Sequence, residues 1–88
     1  MVEGKTKSGF KFKVNENIFK DWDFLTLSDS IRNNGASMNE VNNLIAMVLG
    51  EKGFTSLKDH VRKQLGYADY AQIETEFKEI CSITQVKN

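Results

Sequence analysis

Residues 2–14 alternate with a period of two, and nothing after them does. Phe10, Phe12 and Val14 are interleaved with Lys11 and Lys13, so an extended segment there has one apolar face and one charged face. Val2 to Thr6 supplies a partner strand and Lys7-Ser8-Gly9 a loop, in which Gly9 can take the left-handed conformation that a three-residue hairpin loop with a bulge requires. From Asn15 onward the apolar spacing changes to about 3.6 residues and stays there. The pattern predicts an α+β fold, mainly α. A β-hairpin over about 2–14 is followed by a small bundle of about four helices over 16–34, 38–50, 51–65 and 70–83, all in one domain spanning 1–88. A two-stranded hairpin is marginal alone in water. Its Phe10/Phe12/Val14 face must therefore lie on the helices or on another chain.

The helix boundaries follow from local chemistry. In 16–34, Phe24, Leu27 and Ile31 form one stripe, while Ile18, Trp22 and Leu25 form a second, more than a quarter-turn away. Asp21 can cap a fresh start and split the region into a short turn and a helix. Asn33-Asn34-Gly35 ends it. Ser37-Met38-Asn39-Glu40 is a capping box that opens the next helix, with Val41, Leu44, Ile45, Val48 and Leu49 as its core stripe and Gly50 as a stop or bend. Phe54, Leu57, Val61 and Leu65 line the third helix, which Gly66 terminates. Asp69 is positioned to cap the fourth, whose inner face is Tyr70, Ile73, Phe77, Ile80 and Cys81. The tail from Thr84 to Asn88 is expected to fray.

Composition narrows the function classes. Twelve basic and twelve acidic residues cancel, whereas nucleic-acid modules usually carry a basic excess. The charges are unevenly spread. Lysines 5, 7, 11, 13 and 20 crowd the first twenty residues against Glu3 and Glu16, and Asp69, Glu74, Glu76 and Glu79 crowd the end against Lys78 and Lys87. The two ends could attract each other, or could simply be solvated faces. The single cysteine, Cys81, has no partner in the chain, so a reducing compartment is the default. The N-terminus lacks the apolar core of a signal peptide, and the longest apolar stretch, Leu44 to Leu49, is far below the ~20 residues of a membrane span. A cytoplasmic location is expected.

No constellation of catalytic groups is legible. Gly4-Lys5-Thr6 copies the end of a phosphate-binding loop, but that loop needs a glycine five residues earlier and a following helix. His60, Asp59 and Cys81 fall short of the three or four paired ligands of a zinc site. His60 falls on the polar side of its helix, and Cys81 beside an apolar stripe, where a free cysteine behaves as a small hydrophobe. Asp21/Asp23 and Glu74/Glu76 have a spacing of two, which does not share a helix face. Glu76/Glu79 does share one, and is expected to face solvent. The expectation is a non-enzyme with no cofactor, no metal and no catalytic residue.

Two features point to surfaces instead. The helices on either side of Gly50 to Gly53 invite a helix-turn-helix reading, in which the third helix, with Lys52, Lys58, Arg62 and Lys63, would lie on nucleic acid. It lacks the Asn, Gln or Arg cluster that reads base edges, so a small nucleic-acid-binding regulator is the second choice. The other feature is surplus apolar side chains: Ile18, Trp22 and Leu25 off the main stripe, and Met47 among Asn39, Asn43 and Glu40. These four are the candidate partner-binding residues, with Met47 the most exposed and Trp22 the one that the hairpin is expected to cover.

The run from Gly4 to Val14, then Asn15-Glu16-Asn17, then Asp21-Trp22 with Phe24-Leu25 and Leu27, resembles the start of small tail assembly chaperones of siphophages and prophages of Gram-positive bacteria. Val48-Leu49-Gly50-Glu51 with Leu57 and His60, and the closing Glu76-Phe77-Lys78-Glu79-Ile80, are similar to later parts of that family. Leu65-Gly66-Tyr67-Ala68-Asp69 departs from the Asp-Gly-Arg-like turn expected there, and the stretch before Met38 lacks an expected proline. The resemblance implies a protein that binds the long, helical, apolar tape measure protein, keeps it soluble, assists tail tube polymerisation and is absent from the mature virion. It further implies self-association along the tape measure, and contact with the tail tube protein through a frameshifted longer form, of which this chain would be the short version.

Overall fold

A computed structural model describes residues 1–87, with side chains described through Val86. The hairpin forms as the alternation requires. β1 (Val2–Lys5) and β2 (Lys11–Val14) pair antiparallel, with Val2 opposite Val14 and Gly4 opposite Phe12. The loop is closed by the Thr6 N–H to the Phe10 carbonyl and the Gly9 N–H to the Thr6 carbonyl, both at 2.9 Å. Gly9 has φ of 96°, the left-handed position that the bulged loop needs.

Three helices follow. A 3-10 turn, Glu16–Lys20, precedes α1 (Trp22–Asn34). The split falls at Asp21, whose Oδ2 accepts from the Phe24 N–H at 2.9 Å. The capping box opens α2 as expected: the Glu40 N–H donates to Ser37 Oγ at 3.2 Å, and the Ser37 N–H to Glu40 Oε1 at 3.1 Å. α2 (Met38–Leu65) is assigned as one element with a break at Gly50, where φ and ψ are 75° and 165°. Only glycine adopts that region readily. The expected helices 38–50 and 51–65 are thus two arms joined at one residue, without the three- or four-residue turn of a helix-turn-helix. α3 (Tyr70–Lys87) starts on Asp69, whose Oδ2 accepts from the Gln72 N–H at 2.9 Å. Thr84–Lys87 stays helical rather than fraying, and Thr84 is buried with its hydroxyl donating to the Ile80 carbonyl at 2.8 Å. Asn88 lies outside the described residues.

The hairpin lies across the helices, with β1 against α3 and β2 against α2. Phe10, Phe12 and Val14 join Leu57, Val61, Ile73 and Ile80 in the core, and Phe24, Ile45, Val48 and Phe54 complete it. The hairpin face expected to need a cover is therefore covered by its own chain. Gly4 makes this contact possible. A Cβ there would come within 2.6 Å of the Phe12 ring and 3.2 Å of Ile83 in α3. The glycine in the apparent phosphate-loop fragment serves close packing of strand on helix.

Several side chains depart from their expected faces. Leu65 and Tyr70, expected on inner stripes, are exposed at the ends of their helices. Trp22 is 82% exposed. The hairpin sits on α2 and α3, and in the α1 region the edge-on pair of Phe19 and Phe24, with ring centroids 5.6 Å apart, packs on the core instead. Met47, expected to be the more exposed candidate, is half-buried against the core, because α1 lies over that side of α2 and brings Leu27 and Asp23 beside it.

Candidate functional site: an apolar groove and a polar clasp

The four residues singled out from sequence do not come together. Ile18 and Met47 are half-buried supports of the core. Trp22 and Leu25 share the outer face of α1 with Thr26, Ser28, Asp29 and Arg32, over a shallow depression. Met47 lies over a different one, with Leu27, Asn43 and Ala46.

Glu76, expected to face solvent with Glu79, is instead buried at the centre of a polar cluster. Glu76 is 2% exposed. Its Oε1 accepts from the Thr6 hydroxyl at 2.7 Å and the Ser8 hydroxyl at 2.8 Å, and its Oε2 from the Gln72 side-chain amide at 3.1 Å. Ser8 Oγ also lies 3.0 Å from His60 Nε2. With the Ser8 hydroxyl hydrogen directed at Glu76, an Nε2–H on His60 would complete that contact. The His60 ring also packs against Phe10, at 5.4 Å between centroids. Glu79 Oε2 accepts from the Lys7 N–H at 2.7 Å, and the Gln64 amide donates to the Ser8 carbonyl at 3.1 Å. His60, half-buried on the polar side of its helix, thus clasps the hairpin loop. The two charged ends of the chain do meet, but through hydroxyls and a backbone amide. Among the described residues, the ion pairs Met1–Glu16, Lys13–Glu3, Arg62–Asp59 and Lys78–Glu74 each lie outside any link between an N-terminal lysine and a C-terminal carboxylate. The contact order in this cluster is not that of a nucleophile–base–acid relay, where histidine stands between the other two. The serine here bonds the carboxyl directly.

Sequence spacing held the signal for Glu76. It lies three residues after Ile73 and four before Ile80, both buried, and so on their face of α3. A carboxylate on an apolar stripe implies buried donors, and the loop hydroxyls of Thr6 and Ser8 supply them.

A concave surface with an apolar lining lies elsewhere. A groove of about 340 Å³ opens where the C-terminal end of α1, both arms of α2 and the start of α3 converge. Ile45, Phe54 and Ile73 form its buried floor, and Ile31, Val41, Leu44, Ala68 and Phe77 its half-buried walls. At its mouth stand Met38, 58% exposed, and Tyr70, 49% exposed. Lys58, Glu74 and Lys78 edge it. Lys58 holds its Nζ 4.3 Å from the centroid of the Phe54 ring, a cation–π contact.

Scans against protein-family models, curated proteins and solved structures found no match.

Aliphatic and aromatic side chains make up most of the groove's lining, with Asn42 among them and Lys58, Glu74 and Lys78 at the rim. Among the described residues, no three of His, Cys, Asp and Glu gather as a metal site, and no helix is long and apolar enough to cross a membrane. Cys81, part-buried on α3, has its thiol pushed up to about 11 by burial. That leaves it in the unreactive protonated form at neutral pH.

Proposed function

We propose that this chain is a phage tail assembly chaperone that binds the tape measure protein, keeps its apolar helical segments apart and assists polymerisation of the tail tube. The groove is the observation that carries this reading. Grooves of this kind take the apolar face of an amphipathic helix, with anchors spaced three or four residues apart. This one is apolar on its floor and walls, and Met38 and Tyr70 at its mouth stay exposed to water until something covers them. The resemblance that runs from the hairpin to Ile80 in α3 supplies the identity of the helix: the tape measure, a long apolar helical protein of the same tail.

The test is co-expression with the tape measure protein of the same tail gene cluster, followed by capture on a tag carried by this chain. The expected result is a co-purifying complex that is lost with Met38→Asp or Tyr70→Asp. Both positions are exposed, so both variants keep the fold. No capture by the folded wild-type chain, or capture unchanged in both variants, sinks the proposal. A salt-sensitive shift of duplex DNA in place of capture would favour the nucleic-acid-binding regulator.

A further inference from the structure

The two basic side chains at the groove are not equivalent. Lys78 Nζ lies 3.6 Å from Glu74 Oε1 one turn earlier on α3, so the α3 rim is locally neutralised. Lys58, on the second arm of α2, lies over the Phe54 ring, and among the described residues it has no hydrogen-bonded or ion-paired carboxylate. It is already half-buried. An apolar helix laid into the groove removes more water from that ammonium group. Desolvating a charge is unfavourable unless a partner of opposite sign comes with it.

We infer that the groove takes an amphipathic helix whose apolar stripe is edged by carboxylates on one side only, the side that meets Lys58. This rests on the groove being the docking site. It adds which helices are taken and in which rotational setting. A stripe edged by lysine on that side places two ammonium groups together. A stripe edged by glutamine leaves Lys58 without a counter-charge. On the α3 side Glu74 and Lys78 satisfy each other, so an added carboxylate there gains nothing. Specificity comes as much from rejecting the wrong flank as from the apolar contact.

The experiment uses three fluorescently labelled helical peptides of identical leucine stripe, with Glu, Gln or Lys along one edge, titrated against the full chain. The Glu-edged peptide should bind about three- to tenfold more tightly than the Gln-edged one at low salt, the Lys-edged peptide weakest of all, and the gap should narrow as salt rises. Lys58→Glu should reverse the order, and Lys58→Gln should abolish it. Equal binding of the three peptides, or an order that survives Lys58→Glu, overturns the inference. If that equal binding is still weakened by Met38→Asp, the groove stands as docking site and only the charge selection falls. If no peptide binds, or Met38→Asp and Tyr70→Asp change nothing, the docking site falls and the inference falls with it.

Discussion

The Thr6 hydroxyl donates to Glu76 Oε1 at 2.7 Å across seventy residues of chain. That bond joins the tip of the hairpin to the middle of α3, and Ser8 donates to the same oxygen. The hairpin is thereby fastened at two places: by the apolar face of Phe10, Phe12 and Val14, and by a buried carboxyl group that gathers the hydroxyls of its loop. Removing the carboxyl leaves two hydroxyls and the Gln72 amide without their acceptor. Glu76→Ala should cost about 2–4 kcal/mol. Urea denaturation measures it, and a loss below about 1 kcal/mol would mean that the clasp contributes little to the fold.

Gly4 sits opposite Phe12, and an added methyl would meet that ring at 2.6 Å. The ring is buried and cannot swing away cheaply. Gly4→Ala should therefore destabilise by about 1–3 kcal/mol, with Gly4→Val worse. A midpoint unchanged on thermal melting would show that β1 has room to move off α3.

Gly50 lies in open space but at φ of 75°. An alanine there meets no neighbour and suffers only backbone strain, so Gly50→Ala should cost about 1–2 kcal/mol. Chemical denaturation gives the loss. A gain in stability instead would mean that the two arms of α2 straighten at little cost.

Trp22 is the only tryptophan and stands mostly in water. Its emission maximum in the folded protein should lie close to that of the unfolded chain, and acrylamide should quench both alike. A blue-shifted, protected signal would place a cover over α1, from a second copy or from the hairpin. Trp22→Ala should change stability by no more than about 0.5 kcal/mol, against about 2–5 kcal/mol for the fully buried Leu57→Ala.

Cys81 should react slowly with thiol reagents in the native protein at neutral pH and quickly once unfolded. Burial raises its thiol from the ordinary 9.0 to about 11, so the folded state holds this proton more tightly than the unfolded chain does. Its contribution to stability is complete below pH 9 and falls away as the pH climbs from there through about 11. A Cys81→Ala variant that shows the same alkaline decline would assign it to other groups.

Local signals were legible one by one. The strand alternation, Gly9 in the loop, the Ser37–Glu40 box, the Asp21 and Asp69 caps and the Gly50 break all depend on residues within a few positions of each other. Faces were harder. Met47 looked polar-sided because its own helix neighbours are asparagines, yet α1 lies over it. Leu65 and Tyr70 continued apolar stripes on paper, but each stands at a helix end, beyond the reach of the packed elements. Glu76 sat on a readable face, and its charge argued misleadingly for solvent.

The sequence by itself determined the elements and most of their ends, though not the C-terminal end of α3, because caps, turns and periodicity are short-range effects of side chains on their own backbone. It also determined that the hairpin had to lie on something, because a lone apolar face is unstable in water. Only the tertiary structure decided what that something is: α2 and α3, locked by hydroxyls of Thr6 and Ser8 on Glu76. It likewise decided that an apolar groove opens between Met38 and Tyr70, that Ile18 is drawn against the core, and that Trp22 and Leu25 stay exposed on α1. Which stripe finds a cover depends on how four segments cross in space, and no single segment carries that information.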